Sequence, residues 1–249
     1  IVGKDEIYFA VVHQKGQPTA TLLKAIIEKI LSNFPWPKSM RWGSNPTRWV
    51  RPLHAILCLL GEEIVPVEFA GFKASNVTYG HRFLAPQVIT IKTPAEYEAA
   101  LENAKVIADQ EKRKSEILKQ AETLAASHKL KLKRDDGLLT EVTGLVEFPN
   151  LLLGSIDAQF MDLPPEVLTS EMRTHQKYFA LLDNAGTLAD KFIITSNMTT
   201  SDGGKAIVAG NERVLRARLA DGRFFFDQDR KKTLAQWAAG LKDVTFHAK

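Results

Sequence analysis

The stretch from Gly210 to Arg230, GNERVLRARLADGRFFFDQDR, carries a helical pattern that constrains how the rest of the chain can fold. At 100° per residue, Leu215, Leu219 and Phe226 fall within one arc of about 40°. Gly210-Asn211 supplies a start for the helix. The stretch therefore predicts a helix that turns a narrow apolar stripe toward a protein core.

Three arginines of the same stretch form a second stripe. Arg213, Arg216 and Arg223 fall within an arc of about 80° that is separate from the apolar one. Such a stripe is typical of a solvated charged face, and it also suits the phosphate groups of a nucleic acid. A third interpretation is that the arginines form ion pairs inside the fold, because three aspartates are close in sequence: Asp221, Asp227 and Asp229.

Composition sets broad limits on the class of protein. A chain of 249 residues can form one large domain or two modest ones, and its 45% hydrophobic content is that of an ordinary globular protein. The net charge of +4 permits nucleic acid as a partner without requiring it. One cysteine, Cys58, excludes an internal disulfide and a cysteine-rich zinc site, which is typical of a reducing cytoplasm.

The apolar runs are too short to cross a membrane, which takes about 20 residues.

The longest apolar run, Pro52–Leu60, predicts a buried helix, and Thr19 begins another helical segment. A short strand is predicted at Ile7–Val12. We therefore expect residues 1–62 to form a mostly helical N-terminal part.

Residues 63–230 are expected to form an α+β core of mixed or antiparallel short strands with packed helices. Helices and short strands alternate irregularly, and one hairpin is clear: Tyr178–Leu182 and Phe192–Ser196 flank a turn at 183–186. A long helical segment is predicted around residues 94–128. Residues 231–249 are expected to begin a further helical region of a longer chain, of which residues 1–249 are a fragment.

The densest basic cluster is KLKLKR at Lys129–Arg134. Strict alternation places Lys129, Lys131 and Lys133 on one side of an extended strand. Lysines in this arrangement suit phosphate contacts, and they equally suit a sheet edge that is protected from pairing with another chain. Both interpretations stay open.

Motifs of catalysis and of metal binding are missing from the sequence. Gly203-Gly204-Lys205 is not a phosphate-binding loop, because Ala206 stands where serine or threonine is needed. The histidines are scattered, so His81 is predicted to be structural and no metal site is predicted. No catalytic centre is indicated.

Several longer motifs carry a family resemblance. They occur in order between Met40 and Arg230: MRWG…RPLH, NVTYGHRF, LVEFPNLLLG, LPPEVLTSEMRTHQKYF, ITSN and GNERVLRARLADGRFFFDQD. Together they resemble the β subunit of bacterial glycyl-tRNA synthetase. Part of the chain also resembles the B3/B4 region of the phenylalanyl-tRNA synthetase β subunit, and the piece is expected to lie in the N-terminal half of its own β subunit.

The resemblance implies an α₂β₂ heterotetramer in the cytoplasm that joins glycine to tRNA(Gly) at the expense of ATP. The family's aminoacylation site, with ATP and Mg²⁺, belongs to the α subunit, so no cofactor is expected in this fragment. The β subunit is expected to supply tRNA binding and subunit assembly. The family's HD-type and anticodon-binding domains are not expected here.

Site residues follow as expectations of this resemblance and of charge. The candidate tRNA phosphate contacts are Arg213, Arg216, Arg223, Lys177, Lys131 and Lys133. The second resemblance implies an alternative, a hydrolytic editing site that deacylates mischarged tRNA, with Thr174 and His175 as candidates. A glycine enzyme needs editing less, since a small pocket excludes larger side chains sterically. A purely structural scaffold is the third possibility.

Overall fold

The computed structural model describes residues 10–13 and 15–245, and these residues belong to two compact units. The first comprises Ile1–Tyr79 and Val88–Ala100, and the second comprises Gly80–Gln87 and Leu101–Lys249. Most of the predicted strand Ile7–Val12 lies outside the described residues. No helix in the described part is long and apolar enough to cross a membrane.

The helices confirm an α+β composition and lie mainly in the second unit. The described α-helices are α1 (Thr19–Ser32), α2 (Tyr97–Asn103), α3 (Gln110–Ser127), α4 (Asp136–Thr143), α5 (Pro165–Glu171), α6 (Lys205–Asp229) and α7 (Leu234–Gly240). Short 3₁₀ helices span Pro94–Glu96, Ala158–Phe160 and Leu241–Asp243, and a π-helical turn spans Met172–Gln176.

The strands are short, as expected. They are β1 (Met40–Trp42), β2 (Asn45–Trp49), β3 (Ile56–Leu57), β4 (Leu59–Leu60), β5 (Glu63–Ile64), β6 (Glu68–Phe69), β7 (Phe72–Ser75), β8 (Val77–Tyr79), β9 (Val88–Thr90), β10 (Lys131–Leu132), β11 (Asn150–Ser155), β12 (Phe179–Leu182) and β13 (Leu188–Ser196). The described pairs are antiparallel except β3 with β7.

The prediction of a buried helix at Pro52–Leu60 is wrong. The segment forms β3, which pairs with β7, and β4, which pairs with β5. Leu60 is 40% exposed. A nine-residue apolar run fits a buried helix and a pair of short strands equally well, because periodicity cannot separate them at this length. The described positions of residues 1–62 are therefore not mostly helical, since α1 is the α-helix among them.

An aromatic cluster holds the first unit together around Trp49. Its ring lies 5.0 Å from Trp36 and 5.1 Å from Phe69, both in edge-to-face geometry, and 5.9 Å from Phe34. Such pairs add about 0.5–1.5 kcal/mol beyond the area that they bury. Trp49 therefore has a structural role in packing.

The second unit is built on a four-stranded antiparallel sheet with the order β10-β12-β13-β11. Its centre is the predicted hairpin, which is confirmed as β12 and β13. Successive side chains of a strand point to opposite faces. Accordingly Phe179 and Ile193 pack in one buried cluster, whereas Ala180 and Phe192 pack in a second. The sheet is thus covered on both faces.

Helices supply the two covers. The first cluster takes Ile117 of α3 and Leu138 of α4, and the second takes Leu168 of α5 with Leu215 and Leu219 of α6. The apolar stripe predicted for α6 is confirmed, because Leu215 and Leu219 are each 1% exposed and Phe226 packs beside them.

The predicted start of α6 is wrong. The helix begins at Lys205, after Gly204, whose φ of 87° lies in the left-handed region. The carboxylate of Asp202 accepts hydrogen bonds from the N–H groups of Gly204 and Ala206 and so caps the N-terminus of the helix. Gly210 lies inside the helix, because this upstream cap satisfies the first-turn donors.

The helical region predicted around 94–128 consists of separate helices. Asp109 interrupts it, because its carboxylate caps α3 by accepting a hydrogen bond from the N–H of Lys112 at 2.7 Å. The chain between α2 and α3 includes Lys105 in a left-handed conformation with φ of 61°.

Side chains cover one edge of the four-stranded sheet. At β11 the N–H of Leu151 donates to Oε1 of Gln120 at 3.2 Å, and the N–H of Ser155 donates to Oε1 of Glu212 at 2.7 Å. These N–H groups would otherwise be open to another strand. Residues of α3 and α6 thus occupy hydrogen-bonding positions of the exposed edge.

Candidate nucleic-acid interface

Two arginines of the α6 stripe are directed to carboxylates of the same unit. Arg216 donates from Nε to Oδ2 of Asp157 at 2.9 Å. Arg223 donates hydrogen bonds from both terminal nitrogens to the two carboxylate oxygens of Asp162. Arg223 also donates to the carbonyl of Gln159 at 2.8 Å. Both aspartates flank the short 3₁₀ helix after β11, so the stripe docks α6 onto that segment.

The pKa values of these aspartates follow from their hydrogen bonds. The backbone N–H and the side chain of Gln159, with Arg216, lower the pKa of Asp157. The hydrogen bond from Arg223 lowers the pKa of Asp162. The ion-pair partners of Arg216 and Arg223 are therefore Asp157 and Asp162, which are distant in sequence, while Asp227 acts on Arg223 only as a nearby charge.

Arg213 differs from the other two arginines. Its side chain is exposed and has no ion-pair partner among residues 10–13 and 15–245. The outer face of α6 also carries exposed apolar side chains, with Val214 at 42%, Phe224 at 56% and Phe225 at 63% exposure. Arg218 is exposed on this face as well.

A π-helical turn continues α5 and shapes the surface next to the sheet. It ends at Lys177, whose φ of 59° and ψ of 37° are left-handed. Lys177 forms an ion pair with Glu141 of α4 at 2.7 Å, and Arg173 donates from Nε to Oδ2 of Asp135 at 2.6 Å. Turns of this kind are frequent at functional sites. Two ion pairs therefore fasten the turn to α4 and its N-cap.

A cleft of about 330 Å³ lies between this turn and the chain from β10 to α4. One face of α5 and the turn forms a wall with residues at helical spacing: Glu166, Thr169, Ser170, Arg173 and Thr174. The other wall holds Lys133, Arg134 and Asp135, and the floor is formed by Leu138, Tyr178, Phe179 and Ala180.

Some polar groups of the cleft are engaged and others are free. The hydroxyl of Thr169 donates to the carbonyl of Pro165 at 2.8 Å, and that of Tyr178 donates to Oδ1 of Asn211 at 2.6 Å. Burial raises the pKa of Tyr178 to about 12. The hydroxyls of Ser170 and Thr174 have no hydrogen-bond partner in the part of the chain that the structure describes.

Lys131 of β10 and Lys133, the residue that follows the strand, lie next to this cleft in sequence. Leu130 and Leu132 pack on the α3 side of the sheet, so the alternating Lys131 and Lys133 lie on the opposite side. Lys133 lines the cleft, and both lysines are exposed without an ion-pair partner in the described ranges. We call Lys131 and Lys133 the lysine edge.

Comparison with known proteins places the chain in a family. The family described as "Glycyl-tRNA synthetase beta subunit" matches residues 1–249. The chain belongs to the glycyl-tRNA synthetase β subunit family. It is 47% identical to the "Glycine--tRNA ligase beta subunit" of Rhodospirillum centenum over 99% of this chain and 38% of that protein.

Two further relatives of the same name give the same result. The identity is 47% for Dinoroseobacter shibae, over 99% of this chain and 35% of the relative, and 46% for Phenylobacterium zucineum, over 100% and 38%. The chain thus spans between 35% and 38% of the length of these three relatives.

The two residues of the editing alternative do not share a site in this glycyl-tRNA synthetase β family member. Thr174 lines the cleft, whereas His175 is not among its lining residues and lies 3.6 Å from the carboxylate of Glu171. His175 is 46% exposed. Editing stays a prediction, and the geometry does not join its two candidate residues.

His81 has the surroundings of a structural histidine. His81 is 1% exposed, and its Nδ1 accepts hydrogen bonds from the N–H groups of Phe83 at 3.2 Å and Leu84 at 3.1 Å. In residues 10–13 and 15–245 no group of three or more His, Cys, Asp or Glu is arranged to hold a metal ion.

Sequence reasoning missed most of the cleft. It selected Lys133 and Thr174 but not Ser170, Arg173 or Asp135. The signal was present, because the polar residues of LPPEVLTSEMRTHQ recur at i, i+3, i+4, i+7 and i+8 from Glu166. A polar stripe opposite buried Leu168 indicates a helix face that borders solvent or a ligand.

Proposed function

We propose that this chain is part of the β subunit of a glycine–tRNA ligase and contributes RNA binding to it. The family and the names of the relatives support the parent activity, the ATP-dependent ligation of glycine to tRNA(Gly). In this proposal ATP and Mg²⁺ bind at the α subunit, and the enzyme works in the cytoplasm, where tRNA is charged.

The observation that carries RNA binding is the lysine edge beside the cleft. Lys131 and Lys133 are exposed cations that the described fold does not neutralise, whereas Arg216, Arg223 and Lys177 are held by carboxylates. A lysine that binds a phosphate releases counterions from the nucleic acid, and this release favours binding. A lysine that has no ion-pair partner in the protein can do so without first breaking an ion pair. The lysine edge is therefore the better candidate for tRNA contact.

The test is tRNA binding by the purified chain across a salt series. We expect a steep salt dependence, and we expect Lys131→Glu/Lys133→Glu to weaken binding at every salt concentration. Each lost phosphate contact should reduce the slope of log K against log salt by about 1, so the double variant should lose about 2.

A matched control is the double variant Lys114→Glu/Lys119→Glu on α3, which makes the same change in net charge. Both lysines lie on the helix that covers the opposite face of the sheet. Equal loss of binding in both variants would mean that only net charge matters. Binding unchanged by the Lys131/Lys133 reversal would rule out the lysine edge.

Assembly with the α subunit is the second part of the proposal, and the outer face of α6 supports it. Phe224 and Phe225 are large apolar side chains that face away from the core, and Arg213 and Arg218 flank them without partners in the described residues. Aromatic residues and arginine dominate the energetics of protein interfaces. The α₂β₂ stoichiometry belongs to this proposal.

Co-purification tests the assembly surface. In the complete enzyme, Phe224→Asp/Phe225→Asp should reduce recovery of the α subunit with β, while Lys131→Glu/Lys133→Glu should not. Full recovery with the aspartate variant, with β still folded, would remove α6 as the docking surface. Arg213→Glu in the same assay separates an assembly role for Arg213 from a tRNA contact.

A further inference from the structure

We infer that the cleft binds a single unstacked nucleotide of the RNA held by the lysine edge. This inference rests on the proposed RNA binding and adds the ligand class and the residues that contact it. The cleft differs from a flat phosphate-binding surface because it has two walls and an apolar floor.

Size limits the ligand to one small group. The volume of about 330 Å³ is near the lower end of the roughly 300–1,000 Å³ that is typical of ligand pockets. A double helix cannot enter a space of this size, whereas one nucleotide that has left its stack can. Proteins that recognise RNA commonly take up such splayed nucleotides from loops and chain ends.

Arg173 is the main anchor for an anion. Its Nε is used by Asp135 at 2.6 Å, which fixes the direction of the guanidinium. A guanidinium carries five N–H donors. Those on the terminal nitrogens of Arg173 have no acceptor in the described part of the chain, so they are available to a phosphate, with Lys133 on the facing wall.

The hydroxyls of the wall suit the sugar and base edges of a nucleotide. Ser170 and Thr174 each offer a donor and acceptor positions, and Glu166 on the same wall offers a carboxylate acceptor. A bare phosphate needs donors alone, so the carboxylate favours a ligand that also carries donors. Ribose hydroxyls and exocyclic amines are such donors.

Continuity with the lysine edge connects the cleft to a longer strand. Lys131 and Lys133 lie two residues apart on one side of the chain, roughly 7 Å along an extended strand, and Lys133 belongs to both features. An RNA backbone that follows the two lysines is thus led to the cleft. The arrangement favours a nucleotide of a bound strand over an unrelated small molecule.

The experiment measures adenosine 5′-monophosphate binding and tRNA binding with the same proteins. Ser170→Trp fills the cleft without changing charge, and Thr140→Trp, at an exposed position of α4, is the matched control outside it. We expect Ser170→Trp to weaken binding of the mononucleotide at least tenfold and to weaken tRNA binding, while Thr140→Trp changes neither.

The outcomes separate this inference from the proposed function. Mononucleotide binding that Ser170→Trp leaves unchanged would overturn the inference, as would displacement by inorganic phosphate at equal concentration, which indicates a simple anion site. Normal tRNA binding by Ser170→Trp, with loss in Lys131→Glu/Lys133→Glu, would also overturn it and leave RNA binding intact. Cleft-dependent mononucleotide binding without any tRNA binding would overturn the proposed function and, with it, the inference that the nucleotide belongs to a bound RNA, and would leave the cleft as a mononucleotide site.

Discussion

Arg216 of α6 donates a hydrogen bond from Nε to Oδ2 of Asp157 at 2.9 Å, across 59 positions of sequence. The contact fixes the long helix to the segment that follows β11. An arginine that resembles a nucleic-acid ligand in sequence therefore has a structural partner. Its effect on RNA binding and its effect on folding can be separated by mutation.

Reversal of Arg216 should destabilise the chain more than reversal of Arg213. Arg216→Glu places two carboxylates side by side at Asp157, whereas Arg213→Glu breaks no ion pair that the structure describes. Thermal unfolding of both variants measures the difference. The exchange Asp157→Arg/Arg216→Glu should recover part of the loss, and equal midpoints for the two single variants would contradict the structural role.

Adding a methyl group at Gly154 should cost about 1–3 kcal/mol in the free energy of unfolding, as overpacking of a filled core does. A Cβ there would lie 2.5 Å from Cζ of Phe192, whose side chain is fully buried and has no room to withdraw. Urea unfolding of Gly154→Ala measures this cost. In a Phe192→Leu background, the same glycine-to-alanine change should cost less, because the ring that the new methyl group meets is gone.

Gly210→Ala is the matched control for that experiment. A Cβ at Gly210 meets nothing within 4 Å, and the residue lies inside α6. Alanine is favoured over glycine in a helix interior by up to about 1 kcal/mol. This variant should therefore be more stable than the parent, and a loss comparable with that of Gly154→Ala would show that the crowding argument fails.

Acid should destabilise the chain partly through Asp135. The hydrogen bond from Arg173 is the main cause that lowers the pKa of this carboxyl. A lowered folded-state pKa gives stability above the unfolded value of about 3.9, and this stability is lost as pH falls through the folded value. Unfolding free energies from pH 7 to pH 3 should therefore fall less steeply in Arg173→Ala. The other paired aspartates titrate in both proteins, so an unchanged slope would argue against the Asp135 contribution.

Alkaline pH should destabilise the chain through Tyr178. Burial raises the pKa of Tyr178 to about 12, so the stability that it contributes is present below the unfolded value of about 10 and is lost as pH rises toward 12. Phenolate absorbance should show a late step as the pH approaches 12, and Tyr178→Phe should remove it. Tyr178→Phe should also cost about 0.5–1.5 kcal/mol, since Asn211 loses its donor.

Local patterns predicted the elements whose periodicity is long. The α6 stripe of Leu215 and Leu219 and the hairpin of β12 and β13 follow directly from helical and alternating spacing. The apolar run Pro52–Leu60 failed because nine residues do not distinguish helix from strand. The start of α6 was predicted too late, because the helix is capped by Asp202, upstream of Gly210.

Site geometry was less accessible, because it depends on contacts between remote residues. The sequence showed the charges of Arg216 and Arg223 but not that Asp157 and Asp162 would meet them. Likewise the cleft needs the turn after α5 to face β10, a relationship that only the folded sheet creates. The charge pattern of the sequence therefore indicated candidate cations for phosphate contact, and only the folded structure shows which of them have no ion-pair partner.

The covered edge of β11 has a consequence for how copies of this protein behave at high concentration. Gln120 and Glu212 occupy amide groups that a neighbouring molecule would need for intermolecular strand pairing. At the far edge, β10 is only two residues long and is followed by lysine. Open edges are the usual starting point for fibre growth, so both borders disfavour polymerisation. The four-stranded sheet is therefore closed to extension by a further strand at the described positions of both edges.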